Sequence, residues 1–459
     1  MVPFELDGAV PLEEIRALGR DTLEVADARF ANVDPDALAL LIYTSGTTGE
    51  SKGVMLRHRS MVVMAEATLE RFPHLRDGMR YVSYLPLCHV AEQLMTNYLQ
   101  LSTGGEVTFV DDPAGIRDAL VAVRPQVFLG VPRVWEKMQA ALEARLRGAT
   151  GIRAALASWA LATELKAFDA DIARDDGKVR MSMFRRLARR LVISRIHEAL
   201  GLDQVTVAVT GAAPIGLSTL RFFASLGIIV YEGYGMSETS GVATCASYLR
   251  PRFGTVGRAL DGVEIAIADD GEILLRGEIM TQGYLDRPTL TAELIDDDGW
   301  VHTGDLGSLD QEGNLTITGR KKDILITAGG KNVAPAELEA YIQSVEGIGQ
   351  AMVVGDAKPY LAAVITLDPE ALDAVAQGAG VATGQSVAAL AGAPEVADWV
   401  QAQVEAHCNA KVARVQQVKK TRVLPVEFTP EGGELTPTMK LRRKVVHERY
   451  AADIDALYA

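Results

Sequence analysis

The sequence predicts an α/β fold made of a large first unit and a smaller α+β unit at the C-terminal end. From Leu38 short β-rich runs alternate with amphipathic helical stretches, and from Gly262 the pattern changes to short alternating runs with frequent glycines. The division between the units is placed at GRKKD, residues 319–323, which precedes a stretch of about the length of a small domain, giving units at 1–321 and 322–459.

Taken in order, LALLIY ending at Tyr43 reads as a buried strand, residues 61–69 as a helix and residues 107–109 as a strand. Residues 134–200 lack strand signals and read as several helices with a turn at Asp175, Asp176 and Gly177. Residues 205–210 and 228–231 bracket a helix-like run, GLSTLRFFASLG, approached through Pro214 and Ser218, so two parallel strands joined by a crossover are expected. GVEIAIADDGEILLRG then predicts antiparallel strands with tight turns, a β-rich subdomain of the first unit. Residues 350–354 and 361–366 are strand-like in the last unit.

Composition narrows the function classes. Hydrophobic residues at 48% and charged residues at 23% are ordinary globular usage, so the chain has the material for packed cores. Against 46 Lys and Arg stand 60 Asp and Glu, and a net charge of -14 repels a phosphate backbone, which argues against nucleic acid as a partner. Cys88, Cys245 and Cys408 are widely spaced and form no CxxC pair; neither a disulfide framework nor a structural zinc site is expected, and a reducing cytoplasm fits. The start, MVPFELDGAVPLEE, is acidic where an export signal needs a basic opening, and no apolar run later approaches the roughly 18 residues of a membrane span.

YTSGTTGESKG, residues 43–53, carries the sharpest chemistry. Its glycines allow backbone to approach a polyphosphate, the hydroxyls of Thr44, Ser45, Thr47 and Thr48 can donate to phosphate oxygens, and Lys52 adds a positive charge. The spacing is not GxxxxGK[ST], so this is not a P-loop. A strand before it and a helix after it are expected. YEGYGMSET, residues 231–239, falls where a strand should end, the ligand-binding edge of open α/β sheets. Glu238 is placed there to hold Mg²⁺, which on nucleotide phosphates takes one or two carboxylates plus water, and Tyr234 to stack on a base. TGAAP, residues 210–214, offers small residues that admit a flat ring, and Asp305 and Arg320 are an acid and a base able to grip ribose hydroxyls.

Together and in this order these motifs resemble the adenylate-forming, AMP-binding superfamily, from about Leu38 to the end of the chain. The similarity is greatest to bacterial long-chain fatty-acid CoA ligases, through YLPLCHVAEQ at 84–93, GVPRVWEKM at 130–138, the long helical stretch and the ending ELTPTMKLRRKVV. The resemblance implies a large adenylate-forming unit and a small mobile lid. It assigns the β- and γ-phosphates to Thr44, Ser45, Gly46, Thr47, Thr48, Gly49 and Lys52, the α-phosphate to Ser237, and Mg²⁺ to Glu238 and Thr44. Nucleotide contacts fall to Gly211, Ala212, Ala213, Pro214, Glu232, Gly233, Tyr234 and Gly235, and ribose contacts to Asp305 and Arg320. Lys440, in TPTMK where members more often show PxxxGK, becomes the catalytic lysine. Lys322 becomes the hinge, and Gly329, Gly330 and Lys331 line the thiol channel. The substrates implied are ATP, a fatty acid and coenzyme A; a ligase that stops at acyl-AMP or loads a carrier protein, and a nucleotide-binding remnant without chemistry, are the alternatives.

His89 is read as shaping the acyl pocket or moving with the thiol step, because a carboxylate needs no general base at neutral pH. Residues 178–195 hold seven basic groups with Met181, Phe184, Leu187 and Leu191 at helical spacing. They read as a core-facing helix with a solvated arginine face, with peripheral contact to an anionic membrane as the alternative. Members of the family carry a large subdomain ahead of the phosphate loop, whereas 43 residues precede Thr44 here. Exposed apolar faces, and a partner or second copy covering them, are therefore expected.

Overall fold

The computed structural model describes residues 10–20, 22–44, 51–436 and 440–459. The expected crossover is at its centre. Strands Val127–Leu129, Val207–Thr210 and Val230–Met236 run parallel, and Gly241–Cys245 and Arg258–Ala259 extend the sheet antiparallel. Helix Leu217–Ser225 makes the connection and buries Leu220, Phe223 and Ala224 against the sheet, the stripe that its apolar spacing dictates. Arg80–Ser83 and Glu106–Phe109 form a second parallel pair. The helical region is built from Pro132–Arg147, opened by proline at its first turn, then Gly151–Arg174 and a continuous helical run from Met183 to Leu200. Asp175 and Gly177 turn the chain between them with positive φ values of 50° and 65°.

Beyond Gly262 the four strands Val263–Ile267, Glu272–Gly277, Val301–Leu309 and Leu315–Arg320 pair antiparallel in sequence order, as their alternating pattern predicts. After Arg320 a separate three-stranded sheet forms from Ile348–Val354, Leu361–Leu367 and Val418–Val423. Its cores gather residues from Val333 to Leu457, whereas the cores of the first sheets draw on Ile42 to Leu315. Polar contacts join the two sides: Arg133 to Asp368 at 2.8 Å, Lys137 to Glu370 at 2.7 Å and Arg147 to Glu346 at 2.9 Å, all from the helix Pro132–Arg147.

Three local expectations are corrected. After the hydroxyl-rich run the chain forms strand Lys52–Arg57, paired antiparallel with Leu38–Thr44, and the helix His58–Arg71 begins only after it. The alternation GVML, with Val54 and Leu56 fully buried, is a strand period masked in the sequence by the hydroxyl-rich loop before it. Residues 231–236 lie within strand Val230–Met236 rather than beyond it, because they pair with Gly241–Cys245 and so gain a second set of ladder bonds. This pairing demands glycine at 235, where a Cβ would lie 1.8 Å from the Gly241 carbonyl oxygen. Finally, the arginines of the helix from Met183 do not all face water: Arg185 is buried, and Met183, Phe184, Leu187 and Leu191 are exposed instead. Leu101 and Phe109 also stay largely exposed. No described helix is long and apolar enough to cross a membrane.

Candidate active site

Strands and turns from distant parts of the chain bring Lys52, Tyr234, Glu238, Asp305, Arg320, Lys322 and Lys440 within hydrogen-bonding or electrostatic reach of one another. Val301–Leu309 and Leu315–Arg320 are in a register that sets Asp305 opposite Arg320, and Arg320 Nε donates to Asp305 Oδ1 at 2.9 Å. On the neighbouring sheet Tyr234 is buried, and its hydroxyl donates to Asp305 Oδ2 at 2.8 Å. Burial, with the Asp305 carboxylate beside it, raises the Tyr234 pKa well above the usual phenol range, so the hydroxyl remains a donor. The acid and base singled out for ribose are therefore held by each other and by Tyr234, the ring expected to stack on a base.

Glu238 sits in the short turn Ser237–Thr239 and is buried. Its Oε1 accepts a 2.8 Å hydrogen bond from Tyr284, and its carbonyl accepts from the Thr281 amide at 2.8 Å. Tyr284 was not foreseen. The run TQGYLDRP around it has no spacing of its own that signals a site, yet it pairs with strand Lys52–Arg57 through Met55 to Gly283 and Leu285 to Gly53. Lys52 Nζ lies 4.9 Å from the Tyr284 ring centre. Thr44 and Lys52 are cross-strand partners closing the hairpin; Ser45, Gly46, Thr47, Thr48 and Gly49 lie outside the described residues.

Positive charge converges on this group of residues. Desolvation, then repulsion from Arg320, lowers the pKa of Lys440, while Asp305 and Glu238 oppose the shift. Lys440 as a whole is exposed. Lys322 is likewise lowered, by burial and then by Arg320, with Lys52 adding to it. His89 precedes the helical turn Val90–Gln93 and is lowered by burial and by Lys440. Its Nε2 is buried without a hydrogen-bond partner, as is Thr210 Oγ1 at the end of strand Val207–Thr210. Unpaired buried polar atoms are uncommon, and these two belong to a short set among the described residues that also includes Arg57 Nε, Gln100 Oε1 and Glu434 Oε2.

Gly211, Ala212, Ala213 and Pro214 follow Thr210, and Ala212 holds a positive φ of 70°, a strained conformation for a residue with a side chain. Glu232, partly buried on the next strand, accepts from the Gly254 amide at 3.2 Å, and burial pushes its pKa up to about 8. Gly233 and Gly235 continue that strand. Gly329, Gly330 and Lys331 are not brought to this group: they form an exposed turn between Leu325–Ile326 and Asn332–Val333, against the segment that supplies the Lys358 carbonyl. No group of three acidic, His or Cys side chains able to hold a metal occurs among the described residues. The donor set nevertheless fits Mg²⁺ on a polyphosphate, which needs one carboxylate, here Glu238 with Oε2 free of the Tyr284 bond.

Comparison with known proteins agrees with this geometry. The sequence profile of the AMP-binding enzyme family matches residues 6–285, and that of the AMP-binding enzyme C-terminal domain matches residues 322–459. The chain is 40% identical over 455 residues to FadD11 of Mycobacterium tuberculosis, covering 98% of this chain and 79% of that protein. It is 39% identical over 473 residues to FadD15 of the same species, a long-chain-fatty-acid–CoA ligase, covering 99% and 77%. ATP-bound MatB from Rhodopseudomonas palustris shares the fold, with a TM-score of 0.63 at 24% identity over 91% of this chain and 69% of that one. Two matching profiles in the right order, and relatives about 40% identical over nearly the whole chain, show that it belongs to the AMP-binding enzyme family.

Proposed function

We propose that this chain activates a long-chain fatty acid with ATP and transfers the acyl group to coenzyme A. A carboxylate oxygen attacks the α-phosphorus, the bond to the β-phosphate breaks, and acyl-AMP and pyrophosphate form. The coenzyme A sulfur then attacks the acyl carbonyl, and AMP leaves with the oxygen that joined them. The observation that carries this reading is the gathering of cations about two acids: Arg320 bonds Asp305, Lys52 lies over the Tyr284 ring that bonds Glu238, and Lys322 and Lys440 are each repelled by Arg320. Mutual repulsion of that kind is relieved by a polyanion. The substrate class follows relatives named long-chain-fatty-acid–CoA ligases.

In this reading the loop from Thr44 to Lys52 holds the β- and γ-phosphates and Ser237 the α-phosphate. Glu238, positioned by Tyr284, holds Mg²⁺ with Thr44, and the ion supplies charge neutralisation on the phosphates. Adenine lies between residues 211–214 and 232–235, and Asp305 and Arg320 take the ribose. The two units divide at Lys322, the hinge, and the polar contacts from helix Pro132–Arg147 to Asp368, Glu370 and Glu346 suit a boundary that opens. Rotation there would bring Gly329, Gly330 and Lys331 to the thiol path. A cytoplasmic location fits ATP and coenzyme A as substrates, an amphiphilic acid makes peripheral membrane contact part of the reading, and a partner or second copy would cover Leu101 and Phe109.

The test is pyrophosphate release with ATP, Mg²⁺ and fatty acids of increasing length, with and without coenzyme A. Acid-dependent release and a coenzyme A thioester product are expected; acyl-AMP accumulating with coenzyme A present would move the acceptor elsewhere, and no release from folded protein would reject the reading. His89→Ala is expected to raise KM for the acid several-fold while kcat changes by less than about twofold. The imidazole is uncharged at neutral pH, since burial and Lys440 hold its pKa below the ordinary 6.5. Its unpaired Nε2 then offers an orientation contact rather than proton transfer; steady-state kinetics in which kcat falls as steeply as kcat/KM would instead make His89 part of the chemistry.

A further inference from the structure

The helical run from Met183 to Leu200 is oriented against its own hydropathy. Arg185 turns inward and donates from Nε and Nη2 to Glu164 Oε1 at 2.9 and 2.7 Å, and from Nη1 to Asp171 Oδ2 at 2.5 Å. Arg189 donates from Nε to Glu164 Oε2 at 3.0 Å. Ala188 and Ile193 complete the buried face against Ala160. With its basic residues on 185 and 189 locked inward, the helix must present the opposite side to solvent. That side carries Met183, Phe184, Leu187 and Leu191, exposed by 75%, 60%, 44% and 37%. Phe184, Leu187 and Leu191 share one face by helical spacing, and the run passes through a π-helical turn at Arg189–Ile193.

Its rim is basic. Arg186, Arg190 and Arg195 are exposed, and the ion pairs of this segment are those of Arg180, Arg185 and Arg189 instead. An acidic chain of net charge -14 thus presents, in one place, an apolar stripe flanked by cations without carboxylate partners among the described residues.

We infer that the stripe Met183, Phe184, Leu187 and Leu191, rimmed by Arg186, Arg190 and Arg195, docks on an anionic lipid surface. Apolar side chains of this kind enter the boundary between headgroups and acyl chains, and the arginines meet phosphate oxygens. Neither contribution is strong alone, so binding is reversible and depends on both. The inward Arg185–Glu164–Asp171 network prevents the helix from rolling to hide its apolar face and so keeps the surface set for docking. The lipid character of the partner rests on the fatty-acid reading above; the location of the surface rests on the helix itself.

The full chain is sedimented with vesicles of phosphatidylcholine alone and of phosphatidylcholine mixed with phosphatidylglycerol, at low and moderate salt. Pelleting with the anionic vesicles is expected, at least about tenfold weaker with phosphatidylcholine alone and falling as salt rises. R186E/R190E and F184S/L187S should each weaken it by about tenfold or more. Both variants should keep pyrophosphate release with a water-soluble medium-chain acid within about twofold, which confirms folding. Three results would overturn the inference: no pelleting with anionic vesicles, variants that pellet like the parent, or self-association through the stripe without vesicle binding. Silence of the parent in the pyrophosphate assay would count against the ligase reading and leave the vesicle result interpretable, with folding then read from circular dichroism.

Discussion

Lys440→Ala lowers acyl-AMP formation by about 10²–10³-fold, the range expected when one preorganised charge is removed from a site of developing negative charge. Consumption of preformed acyl-AMP by coenzyme A should change only a few-fold, because in this reading rotation about Lys322 carries Lys440, with the rest of residues 322–459, away from the phosphate before the thiol attacks. This loss follows from the proposed role of Lys440, whose ammonium feels the charges of Arg320, Asp305 and Glu238. The pH dependence follows from the direction of its pKa shift. Desolvation and then Arg320 hold the pKa below the ordinary 10.5, and the protonated form is the active one. Adenylation in kcat/KM should therefore fall as pH rises through that lowered pKa, earlier than for an ordinary lysine. In Lys440→Arg, whose guanidinium stays charged, this alkaline limb should disappear even where the rate is reduced. An unchanged limb in that variant would assign the titration to another group, and pyrophosphate release within threefold of the parent in Lys440→Ala would reject the role itself.

The second large effect concerns stability. Glu164→Ala should destabilise the helical region by about 3–5 kcal/mol, since it leaves the buried Arg185 with one of its two carboxylate partners. For a unit of this size that lowers the melting temperature on the order of 10 °C. Burial alone would raise the Glu164 pKa, but hydrogen bonds from Arg189 and Arg185 outweigh it and hold the carboxyl below the ordinary 4.5. A folded pKa below the unfolded one means that the stabilisation is present above the unfolded value and is lost as pH falls through the folded one. Thermal melts should show the parent losing the advantage of the ion pairs in acid, while Glu164→Gln, unable to ionise, lacks it at neutral pH and loses less on acidification. A cost below about 1 kcal/mol in Glu164→Ala would mean that Asp171 alone satisfies Arg185. The same variant releases the restraint on the apolar stripe, so vesicle binding measured on it would report how far docking depends on a fixed helix.

The sequence by itself determined the α/β class, the parallel crossover around helix Leu217–Ser225 and antiparallel strands with tight turns after Gly262, because each is written in local periodicity and turn residues, whereas the number and order of those four strands came from the structure. It also supplied the chemical inventory of the site, since hydroxyls, glycines and charges are countable without a structure. Tertiary structure alone decided which of them meet. Tyr284 reaches Glu238 across 46 residues, and Thr281 Oγ1 reaches the Met55 carbonyl across 226; no local pattern encodes such pairings, which depend on how two sheets pack. Asp305 and Arg320 were legible as an acid and a base, whereas their bond to each other came from strand register. The helix from Met183 shows the limit most directly. Hydropathy predicts its apolar side inward, and the structure turns it outward, because a buried Glu164 needs arginine partners and two short-range choices of face were settled by one long-range ion-pair network.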